Sequence, residues 1–134
     1  ELYRHFLGPD HPEIASNLAN LALLYDEKRL HLKAQVSLEQ ALAILRKAGQ
    51  SESHAYAVAL VNLGRCYWFQ GKYTEAESIL PEAIQRLKQF EGTGTAQFAT
   101  GLTQFATLLR DRYKYQEARS LYEQALHIHD KKTV

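Results

Sequence analysis

Residues 62–83 read NLGRCYWFQGKYTEAESILPEA, and this stretch decides the fold. On each side of Gly71 the apolar residues lie three or four positions apart, which is the spacing that puts them on one face of an α-helix. Gly71 itself is suited to the left-handed conformation in which many helices end. The stretch therefore predicts two helices joined by a tight turn, and we refer to the first as helix A and to the second as helix B.

The same pattern recurs on both sides of this stretch, because the sequence superimposes on itself without gaps when it is shifted by 42 residues. Asn62-Leu63-Gly64 falls on Asn20-Leu21-Ala22 in one direction and on Gln104-Phe105-Ala106 in the other. Small side chains at fixed positions let two antiparallel helices approach closely. The sequence thus predicts an all-α fold, an α-α superhelix of three helix-turn-helix repeats. Four columns are identical in all three copies: Ala15/Ala57/Ala99, Leu18/Leu60/Leu102, Ala34/Ala76/Ala118 and Ala41/Ala83/Ala125.

The repeat boundaries follow from this register. Residues 1–9 are expected to be the tail of a preceding helix and a connector, followed by repeat 1 at 10–51, repeat 2 at 52–93 and repeat 3 at 94–134. Helix A is expected at about 12–28, 54–70 and 96–112, and helix B at about 32–47, 74–89 and 116–130. In the first repeat the helix A stripe of Leu18, Leu21, Leu24 and Tyr25 is expected to be packed.

Individual residues mark the helix ends. Asp10 is the expected N-cap of the first helix, with Pro12 in the first turn and Glu13 as the capping-box partner. Pro81 falls inside a helix B, where it removes one backbone hydrogen bond and is expected to kink the helix, either as a tolerated bend on the outer face or as a local change of superhelix curvature. Trp68 ends a helix A and is expected to pack on the turn and helix B rather than to bind a ligand.

These columns resemble the tetratricopeptide repeat (TPR), whose usual unit is about 34 residues. Longer helices and a longer connection account for the 42 residues found in this chain. Together with the connector Leu7-Gly8-Pro9-Asp10-His11-Pro12, they resemble the kinesin light chain subtype over essentially the whole chain. The residues that carry the TPR resemblance are Leu63-Gly64, Tyr67, Gly71-Lys72-Tyr73, Glu75-Ala76-Glu77 and Ala83, and in the third repeat Tyr115, Glu117-Ala118 and residues 121–126.

The resemblance implies a scaffold that binds a peptide or protein segment in a concave groove lined by the A helices. Side-chain amides form one column of this groove, and they can bond the backbone of an extended peptide of any sequence. Arg65 can bind an acidic residue in bidentate fashion. The alternative is that these are solvated residues between packed columns. The expected groove residues are Asn20, Leu23, Val58, Val61, Asn62, Arg65, Phe69, Gln104 and Thr107.

The resemblance also bears on the partner. Kinesin light chains bind extended segments with an aromatic or apolar anchor among acidic residues, and Arg65 beside apolar columns is compatible with that. A second TPR mode clamps the C-terminal carboxylate of heat-shock chaperones with Lys, Arg and Asn side chains. Only Asn62 fits that mode, which the sequence therefore argues against. The positions that match the clamp hold Ala19, Leu23, Asn62, Thr100 and Gln104.

Composition and motifs indicate no catalytic chemistry, cofactor or metal site. The net charge of +1 gives no attraction to nucleic acid or to a membrane surface. No nucleophile elbow, phosphate loop or dinucleotide fingerprint is present. Cys66, the single cysteine, falls in the Leu24/Leu108 column and is expected to be a small buried group, which fits a cytoplasmic protein. Glu123, His127 and Asp130 share a helix face, but they are ordinary surface residues on this interpretation.

Two further interpretations remain open at this stage. The array can associate with itself through its ends, since Leu2-Tyr3-Arg4 aligns with Ile44-Leu45-Arg46 as the tail of a missing helix and no solvating helix follows Val134. Alternatively, the array is the regulatory or oligomerisation part of a larger enzyme or signalling ATPase. Both retain the all-α repeat fold and differ only in what the repeats contact.

Overall fold

Each repeat forms one antiparallel helix pair. A computed structural model describes the backbone of residues 11–91 and 96–133 and the side chains of residues 11–90 and 96–128. The A helices are α1 (Pro12–Glu27), α3 (His54–Phe69) and α5 (Ala96–Asp111), and the B helices are α2 (His31–Lys47), α4 (Tyr73–Glu91) and α6 (Tyr115–Thr133). All six lie within three residues of the predicted ranges, and the described residues contain no strand. The predicted tail at 1–9 lies outside the described residues.

The turn between the two helices is the same in all three repeats. Arg29, Gly71 and Tyr113 occupy equivalent positions and have φ values of 63°, 75° and 67°. The residue that follows each of these three donates its backbone N–H to the carbonyl five positions earlier. In the first repeat, for example, the Leu30 N–H donates to the Tyr25 carbonyl at 2.8 Å. This is the bond that closes a Schellman helix end. The left-handed helix end predicted from Gly71 is therefore confirmed, and it also forms where the residue is not glycine.

The A helices lie on the inner side of the curved array. Neighbouring A helices contact each other, α1 with α3 and α3 with α5, whereas the described B helices contact only A helices. Because helices converge on the concave side of a solenoid, this arrangement puts the A helices there. The nine alanines of the three identical alanine columns are all buried at the helix crossings, as predicted.

Three expectations need correction or qualification. The N-cap of α1 is His11 rather than Asp10, because the His11 ring Nδ1 accepts the Glu13 N–H at 3.1 Å and the helix begins at Pro12. Helix α4 continues through Pro81, whose side chain is exposed, so the lost hydrogen bond is tolerated on the outer face. Two residues of the stripe that was expected to be packed are exposed, Leu21 at 38% and Leu24 at 54%. The counterpart of Leu24, Leu108, packs with Leu80 of the preceding B helix, whereas no described helix precedes α1.

Candidate functional site

The concave face carries the residues expected to line a groove. Asn20, Leu23 and Phe69 are exposed there, and Val58, Asn62, Arg65, Gln104 and Thr107 are half-buried. Val61 differs, because it is only 6% exposed and its Cγ2 lies close to Gly101 of α5. Val61 thus belongs to the contact between α3 and α5 and leaves little surface for a ligand.

A cavity of about 210 Å³ lies between α1 and α3, and residues of α2 and α5 also line it. Two of the expected groove residues, Asn20 and Val58, form part of its wall. Most of the remaining lining residues have small side chains. Its size suits one apolar side chain and is smaller than a typical small-molecule pocket. The other lining residues are Ala15, Ser16, Ala19, Ala41, Leu45, His54, Ala55, Ala59 and Gln97.

Sequence reasoning did not identify this cavity, although a signal was present. The inward columns Ser16/Val58/Thr100 and Ala19/Val61/Thr103 contain only small or β-branched residues. Residues of that size in every repeat predict a shallow surface. The periodic pattern does not indicate how much space the crossing of α1 and α3 leaves beside them.

Two polar donors at the expected groove positions have no acceptor. Gln104 Nε2 and Arg65 Nε are both inaccessible to solvent and make no hydrogen bond within the described part of the chain. Buried polar atoms in folded proteins nearly always have a partner, so such atoms require an explanation. Thr107 differs, because its hydroxyl lies 2.8 Å from the Tyr122 hydroxyl of helix B in the same repeat.

Arg65 is paired with a carboxylate that sequence reasoning missed. Arg65 Nη2 lies 3.6 Å from Oδ2 of Asp26, whose side chain is only 6% exposed near the end of α1. The other carboxylate oxygen, Oδ1, lies 3.0 Å from Nδ1 of His31. The signal in the sequence is weak, since the equivalent positions in the other repeats hold Trp68 and Arg110. The Asp26 carboxylate acquires a partner only because α3 packs against α1 and brings Arg65 beside it.

Cys66 completes the surroundings of Asp26. Its side chain is fully buried, as expected, and Sγ donates to Asp26 Oδ1 and Oδ2 at 3.3 and 3.5 Å. Burial and the neighbouring Asp26 charge raise the pKa of the Cys66 thiol to about 12, although Arg65 acts in the opposite direction. The thiol therefore stays protonated at neutral pH and is a hydrogen-bond donor rather than a nucleophile.

Aromatic residues tie the repeats together at the far end of the A helices. Phe69 stacks on the His31 ring, with centroids 4.5 Å apart and an interplanar angle of 5°. Trp68 donates its indole N–H to Asp111 of α5 at 2.6 Å. Trp68 therefore serves the junction between the second and third repeats. Trp68 also packs against the buried cluster that contains Ala76 and Leu80 of its own helix B, as expected, and its bond to the following repeat is an additional contact that the sequence did not predict.

The described residues show no group of three His, Cys, Asp or Glu side chains placed to hold a metal ion. None of the described helices is both long enough and apolar enough to cross a membrane. The candidate site consists of the cavity, the side-chain amides and the paired arginine.

The sequence profile of the tetratricopeptide repeat family matches residues 55–131, which is more than half of the chain, and the chain belongs to this family. The structure of BtubC (BKLC) from P. vanneervenii is similar with a TM-score of 0.83 and 26% identity, over 90% of this chain and 48% of that one. The present chain thus spans about half the length of BtubC. A search of curated proteins finds no match.

Two further structures contain the nearly identical TPR-like repeats of a putative kinesin light chain from Podosopora anserina. One has 23% identity and a TM-score of 0.75, and the other has 24% identity and a TM-score of 0.72. Each match covers 98% of this chain and 62% of the other. The resemblance to kinesin light chain-like TPR proteins is confirmed, and this fold is typical of non-catalytic scaffolds for protein interaction.

Proposed function

We propose that the chain binds an extended segment of a protein partner along the concave face of its A helices. The observation that carries this proposal is the cavity of about 210 Å³ between α1 and α3. An apolar side chain of the segment would fill it and lose its contact with water there, which is how a few anchors supply most of the affinity at protein interfaces. The family supports binding of a protein partner, and the cavity supports this position for it.

The amides beside the cavity would hold the backbone of the segment. Asn20 and Asn62 lie on neighbouring A helices, and Gln104 follows on the third. An extended peptide has unpaired carbonyl groups, and Gln104 Nε2 is a donor without an acceptor. A small rotation of that side chain would present the donor to a carbonyl. Backbone recognition of this kind tolerates many sequences, so the apolar anchor would decide the selectivity.

Arg65 is the cation of this face, but it already shares its charge with Asp26, so the segment need not carry an acidic residue there. The single buried Cys66 fits a protein that works in the reducing cytoplasm, and this location is part of the proposal. The same chemistry would operate if the array regulates a larger enzyme or ATPase, because the groove would then bind a segment of that protein.

The test is to select 12-residue peptides from a random display library on the chain, and to measure their affinity by fluorescence anisotropy. Ala55→Trp would fill the cavity from its exposed rim and should weaken binding at least about tenfold, which is about 1.4 kcal/mol. Ala43→Trp is the matched control, because Ala43 is exposed on the outer helix α2. Peptides that bind the Ala55→Trp and Asn62→Ala variants as tightly as the unchanged chain would exclude the concave face.

A further inference from the structure

The one arginine among the expected groove residues already has a carboxylate beside it. Asp26 Oδ2 lies 3.6 Å from Arg65 Nη2, and the two residues belong to neighbouring repeats. The Arg65 side chain is about one third exposed, whereas Asp26 is nearly inaccessible. A ligand can therefore reach the Arg65 guanidinium from the groove, but it cannot contact the Asp26 carboxylate directly.

Asp26 is fixed in this position by groups on two sides. His31, at the start of α2, holds one carboxylate oxygen at 3.0 Å. The Cys66 thiol, on α3, donates to both oxygens. With these contacts the carboxylate does not depend on Arg65 for its placement, and it is not free to rotate away when a ligand arrives. The charge facing Arg65 is thus a permanent part of the groove floor.

The distances have a consequence for acidic ligands. A glutamate or aspartate that contacts Arg65 would lie within a few ångströms of the Asp26 carboxylate, in a region partly shielded from water. Like charges at such separations repel by about 1 kcal/mol in water and by several times more at a protein surface. This repulsion offsets the attraction of Arg65 for the incoming acid. The guanidinium is also held at a distance where it makes no close hydrogen bond to Asp26, so its donors remain only partly satisfied.

We propose that Asp26 is a specificity-determining residue, which occupies the anion site of Arg65 and makes the groove reject acidic residues at that point in favour of neutral ones. The proposal rests on the proposed function of the concave face and adds to it the chemistry of the bound segment. The preferred segment has an apolar anchor for the cavity and a neutral hydrogen-bonding residue opposite Arg65. A carbonyl or side-chain amide oxygen there accepts from Arg65 without opposing Asp26.

The experiment uses the tightest peptide recovered from the random 12-residue library. Each position is synthesised once as Glu and once as Gln, and the ratio of the two dissociation constants measures the preference for charge at that position. The scan needs no knowledge of the register. It is carried out on the unchanged chain, on Asp26→Asn, on Arg65→Gln and on the double variant. Asp26→Asn keeps the shape of the side chain and one accepting oxygen, removes the charge and replaces the second oxygen with an NH2 donor, and melting curves establish that it folds.

For the unchanged chain, no position should favour Glu over Gln by more than about twofold. In Asp26→Asn at least one position should favour Glu by about fivefold or more, because Arg65 is then unopposed, and the double variant should lose this preference. Glu27→Gln is the matched control, since it removes a neighbouring exposed carboxylate that makes no contact with Arg65. Its Glu preference should stay within about twofold of that of the unchanged chain.

The outcomes separate the two proposals. If the unchanged chain favours Glu about tenfold at some position and Arg65→Gln abolishes this, Arg65 is a free cation and the role of Asp26 is refuted, whether or not Asp26→Asn folds. An Asp26→Asn variant that folds and shows no new preference also refutes it, while the groove itself stands if Ala55→Trp still blocks binding. A peptide that binds both Ala55→Trp and Asn62→Ala as tightly as the unchanged chain refutes the groove and the role of Asp26 together.

Discussion

At the scale of single residues, three different residues, Arg29, Gly71 and Tyr113, adopt the same left-handed conformation in the turns of the three repeats. Gly71 adopts a positive φ without strain, and a Cβ added there would meet no atom within 4 Å. Arg29 adopts nearly the same φ, which costs an L-residue with a Cβ about 1 kcal/mol. We therefore expect Arg29→Gly to raise the free energy of unfolding by up to about 1 kcal/mol, and Gly71→Ala to lower it by a similar amount. Urea denaturation of both variants is the measurement, and opposite signs are required.

The Cys66 thiol should be inert in the folded chain. Its pKa is raised to about 12, so almost no thiolate exists at pH 8 and a disulfide reagent should react at least about 100-fold more slowly than in urea. Because its pKa is higher in the folded chain than in the unfolded chain, Cys66 contributes its full share to the free energy of unfolding below a pH of about 9. This stabilisation is lost as the pH rises from about 9 toward 12, because the unfolded chain ionises first. Fast labelling of the native protein at pH 8 would contradict the burial of Cys66.

At the scale of helices, α3 and α4 approach closely at Gly64. A Cβ built on Gly64 would lie 2.5 Å from Leu80 Cδ2 and 2.7 Å from Leu80 Cγ, and Leu80 is fully buried. Gly64→Ala should therefore lower the free energy of unfolding by about 1–3 kcal/mol. Leu80→Val should recover part of this loss in the double variant, although it is destabilising alone. Additive losses in the two variants would show that the helices separate instead of clashing.

The junction between the second and third repeats depends on one short hydrogen bond. Trp68 Nε1 donates to Asp111 Oδ2 at 2.6 Å, and Asp111 is otherwise bonded by the adjacent Arg110. Trp68→Phe keeps an aromatic ring but removes the donor, so we expect it to destabilise the chain by about 1–3 kcal/mol. In the Asp111→Ala background the same substitution should cost less. Equal losses in both backgrounds would assign the effect of Trp68 to packing alone.

The helices were predictable from the sequence because each one is decided by its own residues. The starts of α1, α3 and α5 at positions 12, 54 and 96 follow from the 42-residue register and its apolar spacing. Contacts between repeats were not predictable in the same way. The burial of Val61 against α5 and the pairing of Asp26 with Arg65 both depend on how far one repeat rotates relative to the next. The cavity depends on the same rotation. The 42-residue repeat predicts which side chains share a helix face, but it does not predict how much space remains between two helices.

At the scale of the whole molecule, the two ends of the described array expose apolar side chains that are buried inside it. Leu126 of α6 is 60% exposed, whereas its counterpart Leu42 is 4% exposed. Adding one consensus repeat after α6 should cover Leu126 and raise the melting temperature by several degrees, at about 4 °C per kcal/mol for a chain of 134 residues. The same repeat carrying a polar A-helix face is the control. A melting temperature that does not rise, with a monomeric mass for the unextended chain, would show that these ends need no neighbour.

The contacts of the array also determine how the chain finds its structure. Every contacting pair of described helices is at most two helices apart in sequence, so no distant segments have to meet before the first native contacts form. The entropy of loop closure is therefore small at each step, and proteins with such local contacts fold in microseconds to milliseconds. The α3–α4 pair, which touches a repeat on each side, can be completed from either direction. During synthesis on the ribosome, the α1–α2 pair can accordingly form before the α5–α6 pair has been synthesised. The apolar side chains of the three repeats are then not all exposed at the same time.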